Sequence, residues 1–264
     1  MLTAFAKGAS AYRAYLGSPH GRLRLEVIWH QLAGFLQAAW SREAVPRRVL
    51  DVGCGSGELP LRLAAQGHAV TLLDPVEEML RLAEESVRAQ APPPAIPPVL
   101  IRGSLEEAPG RFAQSPFDLV LCHMLLEYLP EPGRAPAPLR QLLTPGGHLS
   151  LVALNRWQEP LRLALRDGDL EGARRSLGGD GPRDAVFGLP RSGLAREQLS
   201  AELAAAGITV LAYAGVLVFA DYLPARSLQE PGSRERLLRL ELEAGGRPPF
   251  AEVGRYLHLW GRKP

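Results

Sequence analysis

The sequence predicts an α/β fold in which helices cover both faces of a mostly parallel sheet. Short apolar runs typical of buried strands alternate with segments of helical periodicity along the first 155 residues. Parallel strands need a crossover connection, and a helix is the usual one. The 264 residues, of which 46% are hydrophobic and 22% charged, are enough to bury a substantial core. We therefore expect one large domain.

The first segment is predicted to be helical, because apolar residues recur at three- and four-residue steps up to Trp40. Five prolines within residues 91–98 exclude a helix interior there and predict a surface connection. The predicted strands between the helical segment and Asn155 are 47–52, 69–74, 99–102, 117–122 and 148–155. The predicted helices are 58–66 and 76–89, and residues 139–143 close a further helix.

The alternation of strands and helices stops after Asn155. Residues 162–191 are rich in Arg, Gly and Asp and poor in core-forming residues, which predicts an insertion or a mobile lid. Regular patterns return after residue 194. The predicted elements there are a helix at 195–206, a strand at 208–213, an apolar run at 216–222, a helix at 233–244 and a strand at 256–260.

Composition excludes several classes of protein. No apolar run approaches the roughly 18 residues of a membrane span, and the first ten residues lack a signal-peptide pattern, so a soluble, cytoplasmic protein without membrane contact is expected. Cys54 and Cys122 are not at metal-ligand spacing, which argues against a disulfide framework or a zinc site. A net charge of +2 permits a nucleic-acid partner without indicating one.

A glycine cluster lies where the first strand turns into a helix, in the run Asp51-Val52-Gly53-Cys54-Gly55-Ser56-Gly57. Three glycines let the backbone approach a ligand that side chains would exclude. The preceding acid, Asp51, would repel a pyrophosphate but suits an ammonium group. This loop is therefore predicted to hold a ligand that carries an amine.

Asp74 ends the second strand at about the distance along the chain at which an acid accepts hydrogen bonds from a ribose diol. Alternatively, Asp74 caps the next helix, which has Pro75 in its first turn. Leu105 and Glu106 follow the third strand, where the edge of a purine would lie, although Glu106 could also be a solvated acid at a helix start. Together with the loop, these residues indicate an adenosine ligand.

His123 directly follows the fourth strand, at the carboxyl edge where open α/β sheets bind ligands. It is either a residue of the cleft or a structural histidine.

The loop, Asp74 and the segment 142–147 before the fifth strand resemble the class I S-adenosylmethionine-dependent methyltransferases. Further strings are similar to the tRNA 5-carboxymethoxyuridine methyltransferases, which esterify a carboxylate on a modified wobble uridine. These strings are LGSPHGRLR at 16–24, CHMLLEYL at 122–129, GVLVFADYL at 215–223, LELE at 240–243 and GRYLH at 254–258. The resemblance implies a Rossmann-like fold with a seven-stranded, mostly parallel sheet and S-adenosyl-L-methionine as the cofactor.

The resemblance also implies a division of the chain and a role for each matching position. Residues 1–45 form a helical cap, 46–155 the cofactor-binding half, 156–194 the insertion or lid, and 195–264 the C-terminal strands and the substrate side. By matching positions, the cofactor site consists of Arg24 at the cofactor carboxylate, Gly53 and Cys54 at the methionine end, Asp74 at the ribose, Leu105 and Glu106 at the adenine and His123 in the cleft. Asp51, Gly55 and Gly57 complete the predicted site.

Methyl transfer from a sulfonium is an in-line displacement, so alignment of the reacting atoms should supply most of the catalysis, and no metal is required. A carboxylate acceptor is already ionised at neutral pH and needs only a basic group to orient it, whereas an amine or hydroxyl would need a general base. The candidates for this group are Arg255, His258 and Arg156, with His123 beside them. Alternatively, Arg255 forms a salt bridge to Glu241 or Glu243.

The sequence is compatible with three functions. The first is a tRNA carboxyl methyltransferase, for which Arg174, Arg175, Arg183 and Arg191 could contact phosphates or form only a solvated face. The second is a methyltransferase that acts on a small-molecule acid, phenol or amine, which the low net charge favours. The third is a cofactor-binding module without catalysis.

Overall fold

The computed structural model describes residues 1–40, 46–178, 180–223, 227 and 232–264, and it describes residues 180–183 by their backbone only. Residues 41–45 of the predicted cap, residue 179 of the predicted lid and the Arg183 side chain therefore lie outside the described part. The strands are β1 Arg48–Val52, β2 Ala69–Asp74, β3 Val99–Arg102, β4 Phe117–His123, β5 Leu143–Leu154, β6 Asp180–Arg183, β7 Pro190–Ser192, β8 Thr209–Val216 and β9 Tyr256–Arg262.

Seven of these strands form the central sheet, in the order β3-β2-β1-β4-β5-β9-β8. β9 runs antiparallel to both neighbours, β5 and β8, while the pairs among the first five strands are parallel. The predicted mostly parallel, seven-stranded sheet is confirmed. Because β1 and β4 lie at the centre, their carboxyl ends meet at the middle of one sheet edge.

Helices cover both faces of this sheet. They are α1 Leu2–Gly17, α2 Pro19–Ala39, α3 Glu58–Ala65, α4 Glu77–Arg88, α5 Ala108–Phe112, α6 Pro136–Gln141, α7 Gln158–Leu165, α8 Leu170–Ser176, α9 Arg196–Ala205 and α10 Ser233–Gly245. The break between α1 and α2 is local: the Ser18 hydroxyl accepts a hydrogen bond from the Gly21 N–H, and Pro19 occupies the first turn.

Strand residues alternate between two hydrophobic clusters, as a strand buried on both faces requires. Val49 of β1 packs with Leu32 of α2 and Leu63 of α3, whereas the next residue, Leu50, packs with Leu139 of α6 and Leu199 of α9. The core therefore lies in two layers, with the sheet between them.

The predicted start of the fifth strand was wrong. β5 begins at Leu143 rather than at residue 148, and its pairing with β4 shifts register between Phe117 and Leu119 of β4. Within this early part of β5, the Gly146 N–H donates to the carbonyl of Lys263 and the Lys263 N–H donates to that of Gly147. These bonds keep Gly146 and Gly147, where the preceding helix was expected to end, within the sheet.

The segment expected to be an insertion or lid forms α7, α8 and the β6-β7 hairpin. It is tied to the sheet because the Leu194 N–H donates to the Leu154 carbonyl and the Arg156 N–H donates to the Leu194 carbonyl. In the described residues, no helix combines the length and apolar character needed to cross a membrane.

Candidate functional site

A cavity of about 480 Å³ opens at the carboxyl edge of the sheet, the position at which α/β folds bind ligands. Its wall combines the glycine loop, the ends of β2 and β4, helices α1 and α2, the turn between β6 and β7, and the start of β9. The predicted site residues that line it are Arg24, Gly53, Gly55, Asp74, Leu105, Glu106, His123 and Arg255.

The glycine loop has a conformation that other residues adopt only with strain. Gly53 and Gly55 have φ values of 70° and 54°, in the left-handed region. A Cβ on Gly55 would lie 3.2 Å from the Tyr12 ring of α1, and one on Gly53 would lie 3.2 Å from Leu125. Glycine therefore keeps the cavity floor open at both positions.

The alternative that Asp74 caps the next helix was wrong, because α4 begins at Glu77 and its N-cap is Val76, whereas the role of Asp74 at a ribose stays a prediction. Its carboxylate accepts hydrogen bonds from the Val76 N–H at 2.9 Å, ahead of α4, and from the Gly55 N–H at 3.0 Å, and the residue also lines the cavity. Burial raises the pKa of Asp74 to about 6, although the two N–H groups act in the opposite direction. The carboxylate thus connects the glycine loop to the second strand.

Asp51 lies directly before the lining residues Val52 and Gly53 and is itself outside the wall. Burial, with the negative charges of Asp74 and Glu58 adding to it, raises its pKa well above the ordinary value. A positively charged ligand group nearby would relieve this repulsion.

Arg24 is a buried cation, with only 5% of its surface exposed. Its Nη1 donates to the Tyr256 hydroxyl at 3.4 Å, and its Nε and Nη2 have no hydrogen-bond partner in the described part of the chain. No described carboxylate lies within 4.0 Å of it. Because a buried charge needs a counter-charge, Arg24 is suited to an anionic ligand group.

His123 lines the cavity, and its Nε2 lies 2.9 Å from the Ser150 hydroxyl. Burial, together with the charge of Arg24, lowers the pKa of His123 to about 3, so the ring is neutral. His258 lies behind Ser150, at 2.8 Å from the hydroxyl, and is fully buried outside the cavity wall. The prediction that His258 contacts a substrate was therefore wrong.

Arg255 lines the cavity and donates from Nη1 to Asp221 at 2.8 Å, while its Nε has no partner among the described residues. The alternative of a salt bridge from Arg255 to Glu241 or Glu243 was wrong, because its partner is Asp221. Glu241 instead accepts from the backbone N–H groups of residues 218, 219 and 220. The Asp221 carboxylate, in the segment after β8, thus holds Arg255 at the cleft.

Other predicted residues lie outside the wall. Arg156 is turned away, with its guanidinium 4.8 Å from the centre of the Trp157 ring. Cys54 packs in the hydrophobic cluster with Leu72, and Gly57 precedes α3, where a Cβ would lie 3.2 Å from Leu72. The geometry does not bring these residues to a ligand in the cavity.

Several lining residues were not predicted from sequence. Phe5 and Tyr12 of α1 contact Phe187 from the turn after β6, with ring centres 4.7 and 5.6 Å apart, and Phe5 meets Tyr128 at 5.1 Å. These four rings form an aromatic cover over the cavity. Glu127 also lines the wall, and burial raises its pKa to about 7. Only the string at 122–129 gave a sequence signal, for Glu127 and Tyr128.

Residues 50–151, which hold the glycine loop, Asp74 and His123, match the family described as a methyltransferase domain. This segment of the chain is therefore similar to a methyltransferase domain. S-adenosyl-L-methionine, which the resemblance implied, therefore remains the expected cofactor.

Two similar relatives differ in how much of this chain they match. A "tRNA 5-carboxymethoxyuridine methyltransferase" of Escherichia coli is 29% identical over 259 residues, which cover 96% of this chain and 92% of that protein. A "Ubiquinone biosynthesis O-methyltransferase" of Photorhabdus laumondii is 36% identical over 119 residues, which cover 45% of this chain and 48% of that protein.

Solved structures show the same fold. A possible histamine N-methyltransferase of Thermotoga maritima superposes with a TM-score of 0.63 at 15% identity and covers 100% of both chains. The magnesium protoporphyrin IX methyltransferase of Synechocystis superposes with a TM-score of 0.62 at 15% identity over 98% of this chain and 95% of that one. At this identity the likeness supports the Rossmann-like fold.

Proposed function

We propose that this methyltransferase converts the carboxylate of 5-carboxymethoxyuridine at the tRNA wobble position to its methyl ester. The observation that carries the proposal is the share of the chain that each relative matches. The relative named for this reaction matches 96% of the chain, whereas the ubiquinone relative matches 45%.

The proposed cofactor site follows the cavity wall. Arg24 holds the carboxylate of the methionine part, and Asp51 stands near its ammonium group. Asp74 accepts hydrogen bonds from the ribose. Leu105, which is buried, and Glu106, which is exposed, lie at the adenine. Gly53 and Gly55 let the ligand approach the backbone.

The proposed reaction is a single displacement. The bound cofactor would supply a methyl group on a sulfonium, and the site would hold one oxygen of the acceptor carboxylate in line with it, so that the carbon–oxygen bond forms as the carbon–sulfur bond breaks and a thioether is left. The acceptor is ionised at neutral pH, so no proton has to be removed. Arg255, which lines the cavity and is held by Asp221 through Nη1, orients the carboxylate with its guanidinium group.

We also propose the division of labour along the chain. Residues 1–45 cap the site, 46–155 bind the cofactor, 156–194 cover the cavity and 195–264 form the acceptor side. Lining residues from the segment 184–191 and from β9 support this assignment.

A small-molecule acid, phenol or amine is the second candidate acceptor. The similarity of 45% of the chain to a ubiquinone biosynthesis O-methyltransferase favours it. A phenol or amine would need a base, and Glu127, whose pKa burial raises to about 7, is a lining carboxylate that could act as one.

The test is to incubate the protein and methyl-labelled cofactor with tRNA from cells that lack the endogenous modification enzyme. We expect label in the wobble uridine that mild alkali releases as methanol, because an ester hydrolyses and an ether or N-methyl group does not. Arg255→Leu should abolish transfer to tRNA and leave cofactor affinity unchanged. Label that enters a phenol but not tRNA would favour the second candidate.

A matched pair of variants tests the cofactor site by calorimetry. Asp74→Ala should lose binding of the demethylated product, S-adenosylhomocysteine, whereas Glu78→Ala, at an exposed position on α4, should retain it. Equal binding by both variants would contradict the proposed role of Asp74.

A further inference from the structure

A chain of hydrogen bonds runs from the cavity wall into the core. His123 Nε2 lies 2.9 Å from Ser150 Oγ, and Ser150 Oγ lies 2.8 Å from His258 Nε2. His258 Nδ1 then lies 2.9 Å from Gln31 Oε1, and Gln31 Nε2 donates to the Gly215 carbonyl at 2.9 Å. Strand β9 and helix α2 thereby connect to the end of β4.

The carbonyl at the inner end fixes the direction of every bond in the chain. A backbone carbonyl only accepts, so the amide nitrogen of Gln31 must face Gly215, and its oxygen must face His258. That oxygen also only accepts, so His258 carries its proton on Nδ1. Since burial and the neighbouring His123 lower the pKa of His258 well below its ordinary value, its Nε2 is an unprotonated acceptor.

The same reasoning passes outward to the cavity. The Ser150 hydroxyl must donate to His258 Nε2, so its oxygen accepts from His123, and His123 carries its proton on Nε2. The neutral His123 ring then has a bare lone pair on Nδ1. Nδ1 has no hydrogen-bond partner among the described residues, and it is not one of their enclosed polar atoms. His123 therefore offers an acceptor to the cavity.

We propose that Ser150, His258 and Gln31 are positioning residues that hold His123 as a hydrogen-bond acceptor for the ammonium group of the cofactor's methionine part. The proposal rests on the proposed placement of the methionine carboxylate at Arg24. The carboxylate and the ammonium share one carbon atom, and Arg24 is close enough to His123 for its charge to be felt there. The three N–H bonds of an ammonium group allow it to bond to His123 as well as to an acid.

The chain also limits what His123 can do in the reaction. A proton taken up at Nδ1 could move inward only as far as His258, because the amide of Gln31 cannot accept a proton and pass it on. A buried imidazolium would then remain beside His123. His123 therefore binds and orients, and it is not the general base.

Ser150→Ala tests the proposal, because it removes the fully buried hydroxyl through which the two histidines communicate. Nitrogen-15 NMR of the native protein should show His123 protonated at Nε2 and bare at Nδ1, and the variant should show a mixture of tautomers. Affinity for S-adenosylhomocysteine should fall on the order of three- to tenfold, as for the loss of one hydrogen bond. Affinity for 5′-methylthioadenosine, which lacks the amino-acid end, should not change.

Ser176→Ala is the matched control, because its buried hydroxyl donates to the Ala173 carbonyl in α8, outside the cavity wall. It should leave both affinities and the His123 tautomer unchanged. Gln31→Leu provides a second route, since it frees His258 and should produce the same mixture of tautomers.

Three results would overturn the proposal. They are a proton on Nδ1 of His123 in the native protein, an equal loss of affinity for both ligands in Ser150→Ala, or unchanged S-adenosylhomocysteine affinity in that variant. The binding measurements use no methyl acceptor, so failure of the tRNA assay would leave them unaffected. If neither variant folds, the tautomer of the native protein alone decides.

Discussion

Asp221 should be one of the most sensitive positions for stability, because its fully buried carboxylate joins three elements. It accepts hydrogen bonds from His20 Nε2 at 2.6 Å, from Gln158 Nε2 at 2.7 Å and from Arg255 Nη1 at 2.8 Å. These donors belong to α2, to α7 and to the residue before β9. The perturbation is Asp221→Asn, which keeps the volume and removes the charge.

The expected loss is about 3–5 kcal/mol in the free energy of unfolding, the usual cost of leaving one partner of a buried ion pair uncompensated. Urea denaturation at neutral pH measures it, and a domain of ordinary stability, about 5–15 kcal/mol, would still fold. Glu84→Gln is the control, because its pair with Arg88 on α4 is exposed and should contribute less than about 1 kcal/mol.

The pH dependence provides a second test of Asp221. Burial alone would raise its pKa, but the hydrogen bond from His20 and the charge of Arg255 outweigh burial and lower the pKa. A lowered pKa stabilises the fold above the unfolded-state value, about 3.9, and this contribution is lost as pH falls through the folded-state value. The difference between native protein and variant should therefore shrink in acid. A difference below about 1 kcal/mol at neutral pH would refute the reasoning.

Three further perturbations follow from the site. The Glu127→Gln variant should gain stability relative to the native protein as pH rises from about 4 to 7, because burial raises the pKa of Glu127 in the native protein to about 7. The gain in the free energy of unfolding should be at most about 1.4 kcal/mol per pH unit, and a difference in urea denaturation that does not change with pH would contradict this. Gly8→Val places a Cβ about 2.5 Å from Phe187 and should cost about 1–3 kcal/mol in thermal or urea unfolding, whereas Gly34→Ala, with open space around it, should cost nothing. Arg24→Met should weaken S-adenosylhomocysteine binding by about 1.5–3 kcal/mol in calorimetry but leave 5′-methylthioadenosine binding intact, and an equal effect on both would refute its role at the carboxylate.

The sheet could be predicted because its signals are local. Apolar runs and the helical periodicity between them are written along the chain, and the direction of the parallel strands follows from the crossovers. The start of β5 was not predictable in the same way. Its first residues look like a turn, and pairing with Phe117 of β4 and with Lys263, more than a hundred residues away, keeps them in the sheet.

The site shows the same division between local and distant signals. The glycine loop directly follows a parallel strand, and Asp74 and His123 each end one, so their place at the carboxyl edge could be predicted. His258 could not be placed without knowing that β9 is antiparallel. Its first residue, Tyr256, pairs with Leu154 at the edge, whereas His258 pairs with Val152 farther inside. The start of β9 therefore reaches the cavity and His258 does not.

The N-terminal helices α1 and α2 do more than cover the cavity, because they supply residues of the site. The matched segment 50–151 includes neither Arg24, the buried cation without a described acid partner, nor Gln31, which fixes the direction of the hydrogen-bond chain. In contrast, Arg255 has its own carboxylate in Asp221, and Arg191 has one in Asp184 at 3.3 Å. The buried charge without a described carboxylate partner therefore comes from α2, outside the segment that matches the methyltransferase domain. Because α1 also brings Tyr12 against the glycine loop, recognition of the amino-acid end of the cofactor should depend on the first forty residues as much as on the loop itself.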